Sequence, residues 1–332
     1  MLTTFTAPAF AGTWYIEDGD ITISAGESGN NVTQNENTTK NDTDTIITNR
    51  EEGASSHTVT IDAKDKDDKV EVTLKDVNID ASSGSEAAVS VTGKGDTNIE
   101  LDGDNELKSG AGHAGLEHNK TDTSGELTIQ DKNKNGSLTA TAGSGSAGIG
   151  GSYGHDGEVT ISGGTIDATS NNGGAGIGGG KIDNSYVGGN GTVKITGGNI
   201  TAKADGQGAG IGGGYGGNSD VTVSGNATIE NAEGGKFAAG IGGGYRGDGN
   251  VTISGNAKID NVSGGKQAAG IGSSFLGDST ITIKDNAAIG TVTGGSYGAG
   301  VGGGALGVGD VTIEGNVTIK NAQGGSTAAG IG

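Results

Sequence analysis

Apolar and polar residues alternate in short runs along most of this chain, and glycine or asparagine separates the runs. In residues 251–272, apolar side chains occupy every second position of each run. A period of two is typical of β-strands, whereas an amphipathic helix would repeat every three or four residues. The pattern therefore predicts short β-strands joined by tight corners, without amphipathic helices.

The word Ala-Gly-Ile-Gly and its variants recur at a nearly fixed interval. The spacings are 28, 34, 30, 30, 30 and 30 residues, and the words place seven apolar residues in one column: Ile149, Ile177, Ile211, Ile241, Ile271, Val301 and Ile331. Two more columns keep the same interval, one through triplets such as 251–253 and one through Ile166, Ile200 and Ile259. We therefore expect an all-β fold, a parallel β-solenoid with three short strands per coil and about 30 residues per coil.

The repeat is looser upstream. Leucines and isoleucines recur there at intervals of 27, 28 and 32 residues, at Leu74, Leu101, Ile129 and Ile161. Residues 114–117 correspond to residues 147–150 one coil later. We expect irregular coils over 70–144 and regular coils over 145–332, preceded by an N-terminal cap and irregular coils over 12–69 with a polar loop at 26–52.

The two ends of the chain suggest a longer polypeptide. Residues 9–11 read Ala-Phe-Ala before Gly12, which has the small-x-small form of a signal-peptidase site. Residues 1–11 are therefore interpreted as the remnant of a signal peptide, with a flexible lead as the alternative. The last repeat stops incomplete, so we expect the β-helix to be truncated and further domains to follow residue 332.

Composition supports an elongated fold and excludes several functions. The 332 residues include 72 glycines, and only 30% are apolar, which suits a thin core continued along an axis. A net charge of −20 argues against nucleic acid and anionic membranes as partners. The absence of cysteine excludes disulfides and thiol catalysis. The chain also lacks the apolar run of about 20 residues that a membrane helix needs.

Residues 72–110, followed by AGLEHN (114–119), LTIQD (127–131) and GSLTATAG (136–143), resemble the carbohydrate-binding parallel β-helix family of secreted and surface proteins from Gram-positive anaerobes. The later coils resemble the GAGIGG-type glycine-rich repeat arrays of bacterial surface proteins. This resemblance implies a right-handed β-helix, secretion to the cell surface, non-catalytic binding of pectic or cellulosic polysaccharides, and often bound calcium.

Aromatic side chains recur at two positions of the repeat. Four residues after the Ala-Gly-Ile-Gly isoleucine lies a column of Tyr153, Lys181, Tyr215, Tyr245, Phe275 and Ala305. Four residues before it lies a column that includes Phe237 and Tyr297, and Tyr186 lies in the insertion at 181–190. We consider these seven aromatic residues candidates for stacking on sugar rings. The alternative is that they stack on one another at the corners of the solenoid.

Acidic residues recur near the corners once per repeat, at Asp220, Asp248, Asp278 and Asp310. Their oxygens could bind calcium, which takes about six to eight oxygen ligands. Aspartate is also common in tight turns, and the 30-residue spacing is far longer than the nonapeptide calcium repeat. Calcium is therefore one candidate cofactor, and turn formation is the alternative role.

The predicted function is non-catalytic binding of an extracellular polysaccharide by a secreted bacterial surface protein, with pectic, cellulosic or mucin-type glycan as partner. A structural stalk or adhesin array is the alternative. A β-helix polysaccharide lyase is the third reading, but such enzymes need a strong base beside a metal-carboxylate cluster. The chain has only two arginines, and its four histidines show no metal-type spacing. We therefore expect that it is not an enzyme.

Overall fold

The computed structural model describes residues 11–182 and 189–332, and over these residues it is a parallel β-solenoid. The described residues contain no α-helix, and one 3₁₀ turn occupies Ile16–Asp18. Each regular coil contributes one strand to each of three sheets, which run along the solenoid axis. The predicted fold class, with three strands per coil of about 30 residues, is confirmed.

Sheet 1 has 11 strands, all parallel to their neighbours, and the V-T-I triplets lie in it. Its interior is made by alternate residues such as Val251 and Ile253, while Thr252 points outward. The strands are Thr13–Tyr15, Thr45–Thr48, Lys69–Lys75, Asp96–Asp102, Leu127–Gln130, Gly157–Ile161, Gly191–Ile195, Ser219–Val223, Gly249–Ile253, Ser279–Ile283 and Gly309–Ile313.

Sheet 2 has nine parallel strands and contains the predicted column of Ile166, Ile200 and Ile259. A register shift follows Ile200, where Glu230 is an extra residue opposite the preceding coil, and later coils keep this length. The strands are Asn78–Asp80, Asp104–Lys108, Ser137–Ser144, Thr165–Asn171, Asn199–Lys203, Thr228–Glu233, Lys258–Ser263, Ala288–Thr293 and Thr318–Gln323.

Sheet 3 has 12 strands and carries the Ala-Gly-Ile-Gly column, with Ile241 paired to Ile211 and Ile271. In the order of the chain, its strands are Ile21–Ala25, Asn30–Gln34, Asn37–Asp42, Val59–Ala63, Val89–Gly93, Leu116–His118, Ile149–Gly150, Ile177–Gly178, Ile211–Gly212, Ile241–Gly242, Ile271–Gly272 and Val301–Gly302. The predicted equivalence of residues 114–117 and 147–150 is confirmed, because Leu116 pairs with Ile149.

Glycine at the second residue of these short strands is required by the stacking. Gly242 has a φ of +133°, and a Cβ there would lie 1.8 Å from the carbonyl oxygen of Gly272 in the next coil. Only glycine tolerates both the backbone conformation and the close approach. This requirement explains why the word Ala-Gly-Ile-Gly recurs with so little variation in the regular coils.

The segment 26–52, expected to be a polar loop, contains three strands. Asn30–Gln34 pairs antiparallel with Ile21–Ala25, Asn37–Asp42 pairs antiparallel with Asn30–Gln34, and Thr45–Thr48 joins sheet 1. The two antiparallel strands cover the first edge of sheet 3, which would otherwise present unpaired backbone groups. The half-buried Trp14 joins this N-terminal cap, because its Nε1 donates to Asp42 Oδ2 at 2.8 Å.

One predicted register is wrong. Leu74 does pair with Leu101, but Ile129 pairs with Ile99 and not with Leu101. A shift of two residues leaves every side chain on the same face of a strand, so the hydrophobic pattern fits both registers equally well. The backbone pairing in the folded coil, and not the pattern, selects Ile99.

Candidate functional site

The aromatic residues at the corner after sheet 3 form a strip parallel to the solenoid axis. Tyr215 and Tyr245 have ring centroids 5.9 Å apart and an interplanar angle of 17°, and Tyr245 and Phe275 lie 6.0 Å apart at 7°. Phe237, from the second aromatic column, packs on Tyr245 at 5.6 Å with a tilt of 46°. We call Tyr215, Tyr245 and Phe275 the aromatic strip.

The rings of the strip pack on one another and remain half-buried. Tyr245 has Tyr215 on one side, Phe275 on the other and Phe237 at its flank. Each stacked pair contributes about 1 kcal/mol to stability beyond its buried area. Mutual stacking, the alternative reading of the sequence, therefore describes the middle of the strip.

The strip ends at Ala305, where the repeat has a methyl group in place of a ring. A hollow of about 540 Å³ beside Phe275, which we call the end cavity, lies against the last residues of the chain, because Thr327, Ala329 and Gly332 also line it. Its walls also include Tyr297, Gln267 and Leu306. Tyr297 is 47% exposed and Leu306 is 81% exposed. The end cavity thus has an aromatic face, a second ring and a side-chain amide.

Tyr153 and Tyr297 do not extend the strip. Tyr153 is 39% exposed and lies in the same column as Tyr215, but Lys181 occupies the coil between them. Tyr186 lies outside the described residues. The structure therefore brings together Tyr215, Tyr245, Phe275 and Phe237, places Tyr297 at the end cavity and puts Tyr153 two coils before Tyr215 in the same column.

A ladder of hydrogen bonds runs beside the strip at the start of sheet 1. In each coil a side-chain oxygen accepts the backbone N–H of the corresponding residue in the next coil, at 2.8–2.9 Å. The ladder consists of Asp156, Asn190, Asn218, Asp248, Asp278 and finally Val308, which contributes only its N–H. The side chain of Val308 has no acceptor, and Ala305 of the same coil has no ring.

The four candidate calcium aspartates fall into two separate columns. Asp248 and Asp278 belong to the ladder, where each accepts a backbone N–H, while Asp220 and Asp310 lie on outward positions of sheet 1. Across the described residues, no group of three or more histidine, cysteine, aspartate or glutamate side chains is placed to hold a metal ion. Asp248 and Asp278 therefore use their carboxylates to join neighbouring coils, since each accepts an N–H from a residue 30 positions later.

A second concave surface lies on the outer face of sheet 1 in the irregular coils. It is a polar groove of about 350 Å³ whose lining includes Glu71, Asn98, Glu100, Gln130 and Lys132. The backbone N–H of Lys132 donates to Glu100 Oε1 at 2.7 Å, and Lys132 Nζ lies 3.8 Å from Glu100 Oε2. No aromatic ring lines this groove, so it can offer hydrogen bonds to a ligand but no stacking surface.

Sequence spacing missed a polar network around the histidines. His113 Nδ1 lies 2.8 Å from the buried carboxylate of Glu117, which also accepts the N–H of Ala114. In the next coil, Ser152 Oγ lies 3.0 Å from His155 Nδ1. One signal was visible, because Glu117 occupies the column that glycine holds in the regular coils. Asn119 links the two coils, because its Nδ2 donates to Glu117 Oε1 and its Oδ1 accepts the backbone N–H of Ser152.

His118 is buried beside this network. Its Nδ1 lies 2.7 Å from the backbone oxygen of Glu158. Burial lowers the pKa of the His118 imidazole below its ordinary value, and the hydrogen bond to Glu158 opposes this only in part. His118 is therefore a neutral structural residue near neutral pH.

Within the described residues, no helix is long and apolar enough to cross a membrane.

Comparison with known proteins supports a parallel β-helix family. Four segments match a family model described as Beta helix repeat: 134–153, 159–181, 193–215 and 221–245. Together they cover about a quarter of the chain, and each ends at the column of Tyr153, Lys181, Tyr215 and Tyr245. No curated protein and no solved structure matches the chain. The match and the coil geometry agree on a β-helix repeat.

Proposed function

We propose that this protein is a non-catalytic polysaccharide-binding β-solenoid that acts outside the bacterial cell. The observation that carries the proposal is the aromatic strip, whose half-buried rings run along a rigid axis at the surface of the solenoid. Aromatic faces and amide groups held on a rigid scaffold suit the apolar faces and hydroxyls of sugar rings, because little ordering is needed on binding. The polar groove on sheet 1 offers a second surface with hydrogen-bonding groups.

The test is retention of the protein on insoluble glycans. Residues 12–332 would be mixed with cellulose, cross-linked pectin and immobilised mucin, and the bound fraction measured against bovine albumin. We expect retention on at least one glycan and no release of unsaturated or reducing sugars from any of them. Release of unsaturated oligosaccharides would support the lyase reading instead.

A second candidate function, a structural stalk, is favoured by the stacking inside the strip and by the hydrogen-bond ladder. In both, the interacting groups of one coil are paired with groups of the next coil. This pairing stiffens the solenoid without a ligand. A stalk would show no retention on any of the three glycans while remaining a rigid rod in small-angle scattering. Retention on a glycan would therefore separate the two functions.

A further inference from the structure

A hollow of about 640 Å³ lies at the corner between sheets 2 and 3, and three lysines from successive coils line it. They are Lys203, Lys236 and Lys266, and we call this surface the lysine hollow. Described coils flank it at both ends. On one side the N–H of Gly173 donates to the backbone oxygen of Asp205, and on the other the N–H of Tyr297 donates to that of Lys266. The lysine hollow is therefore a feature of the interior of the repeat array.

Two of these lysines occupy a column that has no charge in the other coils. The column lies five residues before the Ala-Gly-Ile-Gly isoleucine. It reads Ser144, Asn172, Gly206, Lys236, Lys266, Ser296 and Ser326. Glycine or a small polar residue thus fills the position elsewhere. The two lysines are a local departure from the repeat.

Lys236 and Lys266 are direct neighbours in adjacent coils. The backbone N–H of Lys266 donates to the backbone oxygen of Lys236 at 2.8 Å, and paired strands lie about 4.8 Å apart. Like charges that face each other across paired strands are unfavourable. Across the part of the chain that the structure describes, neither lysine forms an ion pair. A local rule broken without compensation inside the chain is typical of a functional site.

The charge of the lysine hollow differs in sign from that of the whole chain, which is −20. Glu233 neutralises Lys203, since Lys203 Nζ lies 3.4 Å from its carboxylate. Asp205 at the rim then leaves one carboxylate against Lys236 and Lys266. At physiological salt, charges more than about 8 Å away are largely screened. An anion in the hollow therefore interacts chiefly with these two lysines.

The lysine hollow adjoins the aromatic strip. Lys236 Nζ lies 5.1 Å from the centroid of the Phe237 ring, and that ring packs on Tyr245 at 5.6 Å. The backbone N–H of Tyr245 donates to the backbone oxygen of Gln207, a residue that also lines the hollow. A glycan that contacts Phe237 or Tyr245 therefore lies beside the lysine hollow as well.

We propose that the lysine hollow binds the acidic groups of an anionic glycan, either carboxylates or sulfate esters. Lys236 and Lys266 pair with these groups, the Gln207 amide bonds to hydroxyls, and the sugar chain continues towards the aromatic strip. Two ammonium groups from coils about 4.8 Å apart suit successive charges on a chain that follows the solenoid axis. This inference rests on the proposed function and narrows it, because it selects acidic glycans over cellulose.

The test is isothermal titration calorimetry of the full chain at about 0.15 M salt with three probes. Hexagalacturonate carries carboxylates, a keratan sulfate hexasaccharide carries sulfate esters without carboxylates, and cellohexaose is uncharged. We expect at least one acidic probe to bind more tightly than cellohexaose. The acidic probe with the higher affinity identifies the kind of acidic group.

Paired lysine variants test the site. The double variant Lys236→Gln with Lys266→Gln should weaken binding of the acidic probe about tenfold, the equivalent of two exposed ion pairs, and leave cellohexaose unchanged. Lys236→Arg with Lys266→Arg keeps both charges and should bind nearly as the wild type does. The control, Lys258→Gln with Lys284→Gln, removes two exposed lysines outside the hollow and should have no effect. Circular dichroism checks that each variant folds.

Three outcomes would overturn the inference while leaving the proposed function in place. Cellohexaose that binds as tightly as both acidic probes would refute the acidic class. An acidic probe that binds the wild type and the Lys236→Gln, Lys266→Gln variant equally well would refute the site. An equal loss in the Lys258→Gln, Lys284→Gln control would show that net charge, and not the hollow, governs binding. Failure to bind any glycan would instead refute the proposed function itself.

Discussion

The irregular coils before residue 145 and the regular coils after it build the same solenoid by different means. Every buried leucine of the described chain lies in the irregular part, and the two leucines of the regular part, Leu276 and Leu306, are exposed. Most ion pairs also involve the irregular part, such as Arg50 with Asp18 at 2.7 Å and Lys75 with Asp102 at 2.9 Å. The regular coils instead repeat glycine, aromatic and amide columns.

The difference arises because each regular coil repeats the previous coil, shifted along the solenoid axis. A regular coil places each side chain above its own copy, so it favours residues that interact well with themselves. Aromatic rings stack on one another, and asparagine side chains form a row of hydrogen bonds from coil to coil. Such a row, with distances of 3.2–3.4 Å, is formed by Asn226, Asn256, Asn286 and Asn316. A charged residue would meet its own charge one coil away, so opposite charges pair more easily where coils differ.

The largest effect expected is in the regular part, at Gly242. Gly242→Ala places a Cβ 1.8 Å from the oxygen of Gly272 at a φ of +133°, and should lower the free energy of unfolding by about 3 kcal/mol or more. The control is Gly53→Ala in the irregular part, where a Cβ meets no atom within 4 Å. Urea unfolding measures both variants. Equal stability of the two would contradict the close-packed glycine column.

A loss of at most the same size is expected from the core of the irregular part. Leu101→Ala leaves a cavity among fully buried side chains and should lower the free energy of unfolding by about 3 kcal/mol, within the range for buried leucines. Leu306→Ala, at an 81% exposed site, should change it by less than about 0.5 kcal/mol. Urea unfolding again measures both. A small loss at Leu101 would mean that the irregular coils do not depend on bulky leucines.

The hydrogen-bond ladder should respond to loss of its acceptor and not to calcium. Asp278→Ala leaves the N–H of Val308 without its acceptor and should cost about 1 kcal/mol, while Asp278→Asn keeps the bond as Asn218 does. The melting temperature should be the same in calcium chloride as in a chelator. A calcium-dependent increase that Asp278→Asn removes would instead identify a metal site in this column.

The smallest effect is the pH dependence from His118 in the irregular part. Its folded pKa lies below the ordinary value of 6.5, so the unfolded chain binds the proton more readily. The stability that neutral His118 contributes is fully present above pH 6.5. It is lost as the pH falls from 6.5 towards the folded pKa. Melting between about pH 8 and pH 5.5 should show this loss, and His118→Gln should reduce it. His155→Gln, at an exposed histidine, is the control that should not.

The repeat columns could be predicted because each depends on a local pattern repeated many times. Ile241, Ile259 and Ile253 lie in their expected columns, each in a different sheet. Where the repeat is weak, the hydrophobic pattern did not define which strands pair or in which register. It fitted Ile129 against Leu101 as well as against Ile99, and the Asn- and Thr-rich residues of 26–52 resembled a loop until they paired with Ile21–Ala25.

The candidate site was predicted in part for the same reason. The columns that contain Phe275 and Tyr297 are visible in the sequence, and so is the replacement of the aromatic residue by Ala305. Which ring faces are covered is not visible, because that depends on the angle between neighbouring rings. The histidine network also escaped notice, since His113 and His155 come from different coils.

By itself, the sequence determines the three-strand coil, its length and the identity of the inward columns, because alternation and repetition are properties of the chain alone. Only the tertiary structure decides how one coil meets the next. It turns the rings of Tyr245 and Phe275 face to face and pairs Asp248 and Asp278 with backbone N–H groups of the next coil. These contacts join residues about 30 positions apart, and their geometry is set by stacking distances that no local pattern encodes.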